Sequence, residues 1–156
     1  MSISKNLQAI NKILENAQSQ PGLNFPCLWL ATIDYEDAPK KEANKSNIGT
    51  APPISASFNS PFVGQKIEDV ARWLRTMPDN IDLDGHHFAI IDDVSREDRS
   101  IVVCKIGDKS LKGDEPDYRR YPAMRGSTLL RGLEYGEWEE VHRKATDTKI
   151  VYERAE

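Results

Sequence analysis

Local motifs for metal or cofactor binding are missing from this chain. Cysteine occurs twice and histidine three times in 156 residues. No HxH, HExxH or CxxC spacing brings them together, so no metal centre is read from the sequence. There is no G-x-G-x-x-G and no G-x-x-x-x-G-K-[ST], which argues against a nucleotide cofactor, and Gly126-Ser127-Thr128 reads as a turn. A G-x-S-x-G elbow is missing as well. The expectation is a protein with no cofactor.

Apolar residues are scarce, at 38%. The deficit is local: Glu36 to Ser60 holds almost no large apolar side chain, and the rest is ordinary. One domain over residues 1–156 is expected, with a long polar loop or insert at about 36–61. A chain of this length buries roughly 68–70% of its unfolded surface and needs no disulfide or metal to hold it. No run approaches the ~18 apolar residues of a membrane span. Cys27 and Cys104 each sit inside an apolar run, where a thiol acts as a small hydrophobe. With no secretory h-region, the expectation is a soluble protein of the reducing cytoplasm. The sequon Asn44-Lys45-Ser46 is then not expected to be glycosylated. A net charge of −4 argues against a nucleic-acid binder.

The core is legible in FAIIDDVSREDRSIVVCKI, Phe88 to Ile106. Phe88–Ile91 and Ile101–Ile106 read as two β-branched strands joined by an exposed acidic loop, Asp92–Ser100. Before them, Leu7, Ile10, Ile13, Leu14 and Ala17 recur at helical spacing over Ser4–Ala17. Cys27–Ile33 reads as an interior strand, and Ile54–Phe58 as a short edge strand. A second helix is expected over Ile67–Met77, with Ile67, Val70, Ala71 and Leu74 inward and Trp73 at the margin. Tyr118–Tyr121 reads as a strand closed by Pro122, Tyr135–Ala145 as a third helix, and Lys149–Tyr152 as a last strand. Helices and strands alternate only loosely. The fold class is therefore α+β, a mixed or antiparallel sheet of about 4–6 strands packed by about three helices.

Chemistry has few candidate places. His86 and His87 precede a core strand, beside Asp84, Asp92 and Asp93, and an imidazole there can do acid–base work. Strand alternation sends the two rings to opposite faces, which opposes a shared site. Asp92 follows a strand and can orient a base, although Arg96 and Arg99 make a self-neutralising solvated turn the plainer reading. No EF-hand pattern is present. Arg119, Arg120, Arg125 and Arg131 precede Glu134, Glu137, Glu139 and Glu140. The blocks either offset each other in solvent or, with Tyr135 and Trp138, wall a pocket for an anionic or aromatic ligand. Trp29, Trp73 and Trp138 otherwise read as core. Cys104 is a poor nucleophile, buried without a basic neighbour.

Four of these pieces resemble an uncharacterised family of small bacterial and fungal proteins, a domain of unknown function numbered six-nine-two-four. They are the strand Leu28–Ile33 ending in Asp34-Tyr35, and the strand Phe88–Ile91 with Asp92, Asp98 and the strand Ile101–Cys104. Tyr118-Arg119-Arg120-Tyr121-Pro122 and Trp138-Glu139-Glu140-Val141 complete the set. The resemblance implies a small α+β fold and carries no activity or catalytic residue.

Three functions compete. The first is a domain that binds a small molecule or a partner without catalysis, a homodimer being one form of partner. The second is a cofactor-free isomerase, cyclase or hydratase. His86 or His87 would be its base, Asp92 the base's partner, and Arg119 or Arg125 the anion anchor. The third is an immunity or inhibitor protein whose acidic surface masks a basic partner.

Overall fold

The computed structural model describes residues 3–19, 26, 28–32, 34–41, 49–106 and 116–132. Its elements in order are α1 (Ile3–Gln18), α2 (Ile67–Arg75), β1 (His87–Ile90), α3 (Asp93–Asp98), β2 (Ser100–Lys105), β3 (Asp117–Pro122) and α4 (Ala123–Gly132). The fold is α+β. Among the described residues the strands form one antiparallel sheet in the order β1-β2-β3.

The β-branched run of β2 makes it the central strand, and Ile101 to Cys104 are buried. One face of the sheet packs Ile101, Val103 and Tyr121 against Ile13 of α1 and Ala123 at the start of α4. Covering each such side chain contributes about 1.5–3 kcal/mol. On the other face, Ala71 and Leu74 of α2 meet Ile106 and Phe88. The amphipathic reading of α1 and α2 holds, and α2 carries Glu68 and Asp69 early and Arg72 and Arg75 late, as the helix dipole favours. It ends at Arg75, two residues short of the expected end, with Thr76 as its C-cap. There the Thr76 N–H and hydroxyl both return to the Trp73 carbonyl.

Four expectations are corrected. Asp92–Ser100 is not an exposed loop, because Asp92 caps a short helix. Its carboxylate accepts from the Ser95 N–H at 2.9 Å while the Ser95 hydroxyl accepts from the Asp92 N–H. Gly126-Ser127-Thr128 lies inside α4, not in a turn. Residues 28–32 are not in a strand. Leu28 O and Leu30 N–H bond Thr50 instead of a ladder. Residues 54–58 form turns, with Ile54 N–H held by Asn11 Oδ1 at 2.8 Å. The expected helix Tyr135–Ala145 and strand Lys149–Tyr152 lie outside the described residues.

Candidate functional site

A cavity of about 870 Å³ runs beside β1. Its walls include Ile10 and Leu14 of α1, Val70 and Trp73 of α2, and Phe62 and Val63 before α2. At about 24 cal/mol per Å³, a sealed empty void of this size would cost about 20 kcal/mol. That exceeds the whole stability of an ordinary domain, about 5–15 kcal/mol. The space is therefore a cleft open to solvent rather than a sealed packing defect, in keeping with Val63 standing 76% exposed on its rim.

The lining follows an informative order. Phe88, Ala89, Ile90 and Ile91 all contribute, and so do Leu28, Trp29, Leu30 and Ala31. Neighbouring residues of a strand point to opposite faces, so a cavity that touches four in succession lies along the strand's edge. Among the described residues β1 is an edge strand, and the cleft lies along its outer side.

An aromatic wall adjoins it. Tyr35 and Trp73 stack with centroids 4.2 Å apart and planes 4° from parallel. Trp29 lies beyond both, at 6.2 and 6.4 Å, and Phe62 meets Trp73 edge-on at 4.9 Å. The Tyr35 hydroxyl donates to the Trp73 carbonyl at 2.8 Å, and burial pushes the phenol up to about 12. Tyr35 holds φ at +57°, a region costly for a residue with a Cβ. Its carbonyl is fixed by Lys40 Nζ at 2.6 Å. Strain held in place this firmly is typical of binding sites.

At the start of β1, one carboxylate organises both histidines. Asp84 Oδ1 accepts the His86 N–H at 2.7 Å, and Asp84 Oδ2 lies 2.7 Å from His87 Nδ1. His86 Nδ1 is 3.7 Å from Oδ1. Burial acts to raise the Asp84 carboxyl. The His87 ring, the His86 amide and the charges of both imidazoles outweigh it and hold the group below its usual range. The rings do part, as alternation requires: the His86 side chain is 79% exposed and that of His87 8%. Asp84 and His87 both line the cleft; His86 does not. A carboxylate only accepts, so Nδ1 of His87 carries the hydrogen and Nε2 is the acceptor of the neutral ring.

Asp92 also lines the cleft, but its partners are Ser95 and Arg120, and the carboxylate oriented on His87 is Asp84 instead. Arg120, 7% exposed, spans from β3 to the N-terminus of α3. Its Nη1 donates to Ser100 Oγ at 2.6 Å and to Ser95 Oγ at 3.2 Å, and its Nη2 to Asp92 Oδ2 at 2.5 Å. Burial would raise Asp92; the guanidinium and the Ser95 donors overcome it, leaving the carboxyl low.

Arg119 and Arg125 sit elsewhere, near Tyr121, and neither lines the cleft. Burial raises the Tyr121 phenol although both arginines favour its ionisation. The side chain of Arg131, and Tyr135 and Trp138 altogether, lie outside what the structure describes. Among the described residues no group of three His, Cys, Asp or Glu side chains is placed to hold a metal ion, and no helix is long and apolar enough to cross a membrane. Cys104 is fully buried, and burial raises its thiol well above the usual range. Sequence reasoning named Asp84 beside the histidines but gave it no role, assigning Asp92 as the partner instead. The signal for Asp84 was Asp-Gly-His-His, an aspartate able to take an N–H two residues on.

No family model, curated protein or solved structure matches the chain.

Proposed function

We propose that this chain is a binding domain without catalysis, and that the cleft along β1 is its site. The observation that carries the reading is the unbroken run Phe88–Ile91 on the cleft wall, which makes the space a groove along an open strand edge. Apolar walls supply affinity and the few polar groups at the Asp84–His87 end supply orientation. A cytoplasmic setting and a possible homodimer belong to the same reading, as does a sheet of four to six strands packed by about three helices. The resemblance to the six-nine-two-four family is also retained as a proposal and adds no activity.

The test is titration with the neutral apolar dye N-phenyl-1-naphthylamine. Saturable enhancement with one dye per chain, weakened at least tenfold by Val70→Trp, is the expected result. Unsaturable binding, or indifference to Val70→Trp in a folded variant, removes the cleft as the site.

One observation favours a second reading, a cofactor-free acid–base enzyme: the His87–Asp84 pair borders the cleft with Nε2 as acceptor. A base of this kind would take the ring C–H proton of 5-nitrobenzisoxazole, breaking its N–O bond to release the cyanophenolate. Turnover that falls at least tenfold in His87→Gln supports the enzyme; a rate equal to that of free imidazole at the same concentration ends it.

A further inference from the structure

Two stretches of consecutive residues line the cleft, Phe88–Ile91 and Leu28–Ala31. Ile106 donates its N–H to His86 O at 2.7 Å, so residues 86 and 106 form a hydrogen-bonded pair. Such pairs alternate with non-bonded ones along an antiparallel ladder. The register Phe88↔Cys104, Ala89↔Val103, Ile90↔Val102 then gives Phe88 and Ile90 to β2. The Ala123 N–H bond to Arg99 O sets the same phase from the other side, turning Ile101, Val103 and Lys105 toward β3. Ala89 therefore directs its N–H and C=O away from the sheet, toward the cleft. Among the described residues it makes no hydrogen bond on that side.

The second stretch of the lining is similar. Leu28 O accepts from Thr50 N–H at 2.7 Å and Leu30 N–H donates to Thr50 Oγ1 at 2.9 Å. Trp29 and Ala31 make no backbone hydrogen bond among the described residues. The close approach of Gly49 to Pro26 and Leu28, where a Cβ would meet main-chain atoms at 2.7–2.8 Å, holds this wall in place.

We infer that the groove between β1 and residues 28–31 receives an extended peptide segment, added as a strand along β1. The inference rests on the cleft being the binding site. A purely apolar ligand would shield these amides and carbonyls from water without satisfying them, whereas a peptide main chain pairs with them. The side chains of the segment follow from the walls. On one face of β1 the groove is bounded by Phe88, Ile90 and Leu74, on the other by Ala89, Ile91 and Leu14. Both faces of the incoming strand are thus apolar, and the segment is a continuous Val/Leu/Ile run rather than an alternating one. At about 3.4 Å per residue, β1 engages roughly four residues of it.

The experiment uses a blocked hexapeptide with lysine at both ends and alternating valine and leucine between, titrated by calorimetry into the full chain. Two analogues carry N-methyl groups on one or the other alternate set of amides. The expected result is saturable one-to-one binding, displacement of N-phenyl-1-naphthylamine, and at least a tenfold loss of affinity in one analogue. Exchange of the Ala89 amide slows at least tenfold in the complex. Ala89→Pro removes the outward N–H at a position where an edge strand tolerates proline, and should lose the peptide. If that variant does not fold, the methylated analogues decide on the native chain. Equal binding of all three peptides with unchanged Ala89 exchange overturns the inference. Dye binding with no peptide binding also overturns it and leaves the cleft as a small-molecule site. Failure of both dye and peptide removes the cleft reading itself.

Discussion

Arg120 and Asp92 stand 28 residues apart in sequence and meet as an ion pair whose arginine is buried, Nη2 donating to Oδ2 at 2.5 Å. The same carboxylate caps α3, so one aspartate joins a helix start to β3. Removing either partner leaves the other charge or its serine neighbours unsatisfied, a loss of about 3–5 kcal/mol for a buried pair. Asp92→Ala should fall in that range by urea denaturation, and Asp92→Asn, which keeps the cap oxygen, should cost less. Equal effects would mean that the charge contributes nothing.

Acid should act through Asp92 and Asp84. Both carboxyls are held low in the folded chain, so the unfolded chain takes up protons first as pH drops. Their stabilisation is whole above the ordinary carboxylate pKa of about 3.9 and is lost as pH falls through the lower folded values. Asp92→Asn should flatten the acid limb of the stability curve. An unchanged limb would place the acid sensitivity elsewhere.

Tyr35 acts on the alkaline side. With its phenol pushed up to about 12, stability is complete below pH of about 10 and falls as pH rises through the folded value. A spectrophotometric tyrosine titration should show one fewer group ionising near pH 10 than in Tyr35→Phe plus its missing phenol. The backbone gives a second test: at φ +57°, Tyr35→Gly should be about 1 kcal/mol more stable than Tyr35→Ala, since only glycine sits there without strain.

Gly126→Ala should destabilise. The added Cβ would meet Ile101 Cδ1 and Cγ1 at 2.7 Å and Val103 Cγ2 at 3.3 Å, against side chains that are completely buried. Overpacking of this kind costs about 1–3 kcal/mol, while the gain in helix propensity is at most about 1 kcal/mol. A thermal midpoint that rises would show that Ile101 has room to move.

Cys104 should resist thiol reagents in the native chain and react on unfolding, because burial both covers Sγ and disfavours the thiolate. Peptide mapping after brief labelling checks this; labelling of Cys104 at native pH would mean that β2 opens readily.

Periodicity made the frame of this fold readable. α1, α2, β1 and β2 each carry the apolar pattern of their type, whereas β3 (Asp117–Pro122) is polar and was marked by its tyrosines and its closing proline. What escaped had physical reasons. α3 is capped by Asp92 with serine at the third position, whereas the familiar reciprocal box ends in Glu or Gln. α4 was hidden by Gly126, Ser127 and Thr128, weak helix formers. The glycine is there because α4 lies against Ile101 and Val103. Leu28–Ala31 is apolar enough for a strand, yet a strand exists only with a partner, and pairing is not written in one segment. Of the site, His87 and Asp92 were legible as strand-end residues. That Asp84 and not Asp92 would serve His87, and that Arg120 and not Arg119 would be the buried arginine of β3, depended on register.

The cleft is anchored unevenly. Ser127 Oγ on α4 donates to Ala17 O on α1 at 3.0 Å, and Ile13 of α1 is packed into the same cluster as Ile101 and Val103. The side bearing Ile10 and Leu14 is thus fastened to the centre of the sheet. The side bearing Phe58, Phe62 and Val63 is built of short-range turns, Phe58 to Ser55, Val63 to Ser60 and Gln65 to Phe62, and is tied to α1 by Asn11 Oδ1 on Ile54 N–H and to α2 by Phe62 edge-on to Trp73. One jamb of the groove is thus part of the sheet's own packing, while the other is a separate span set in place by α1 and α2.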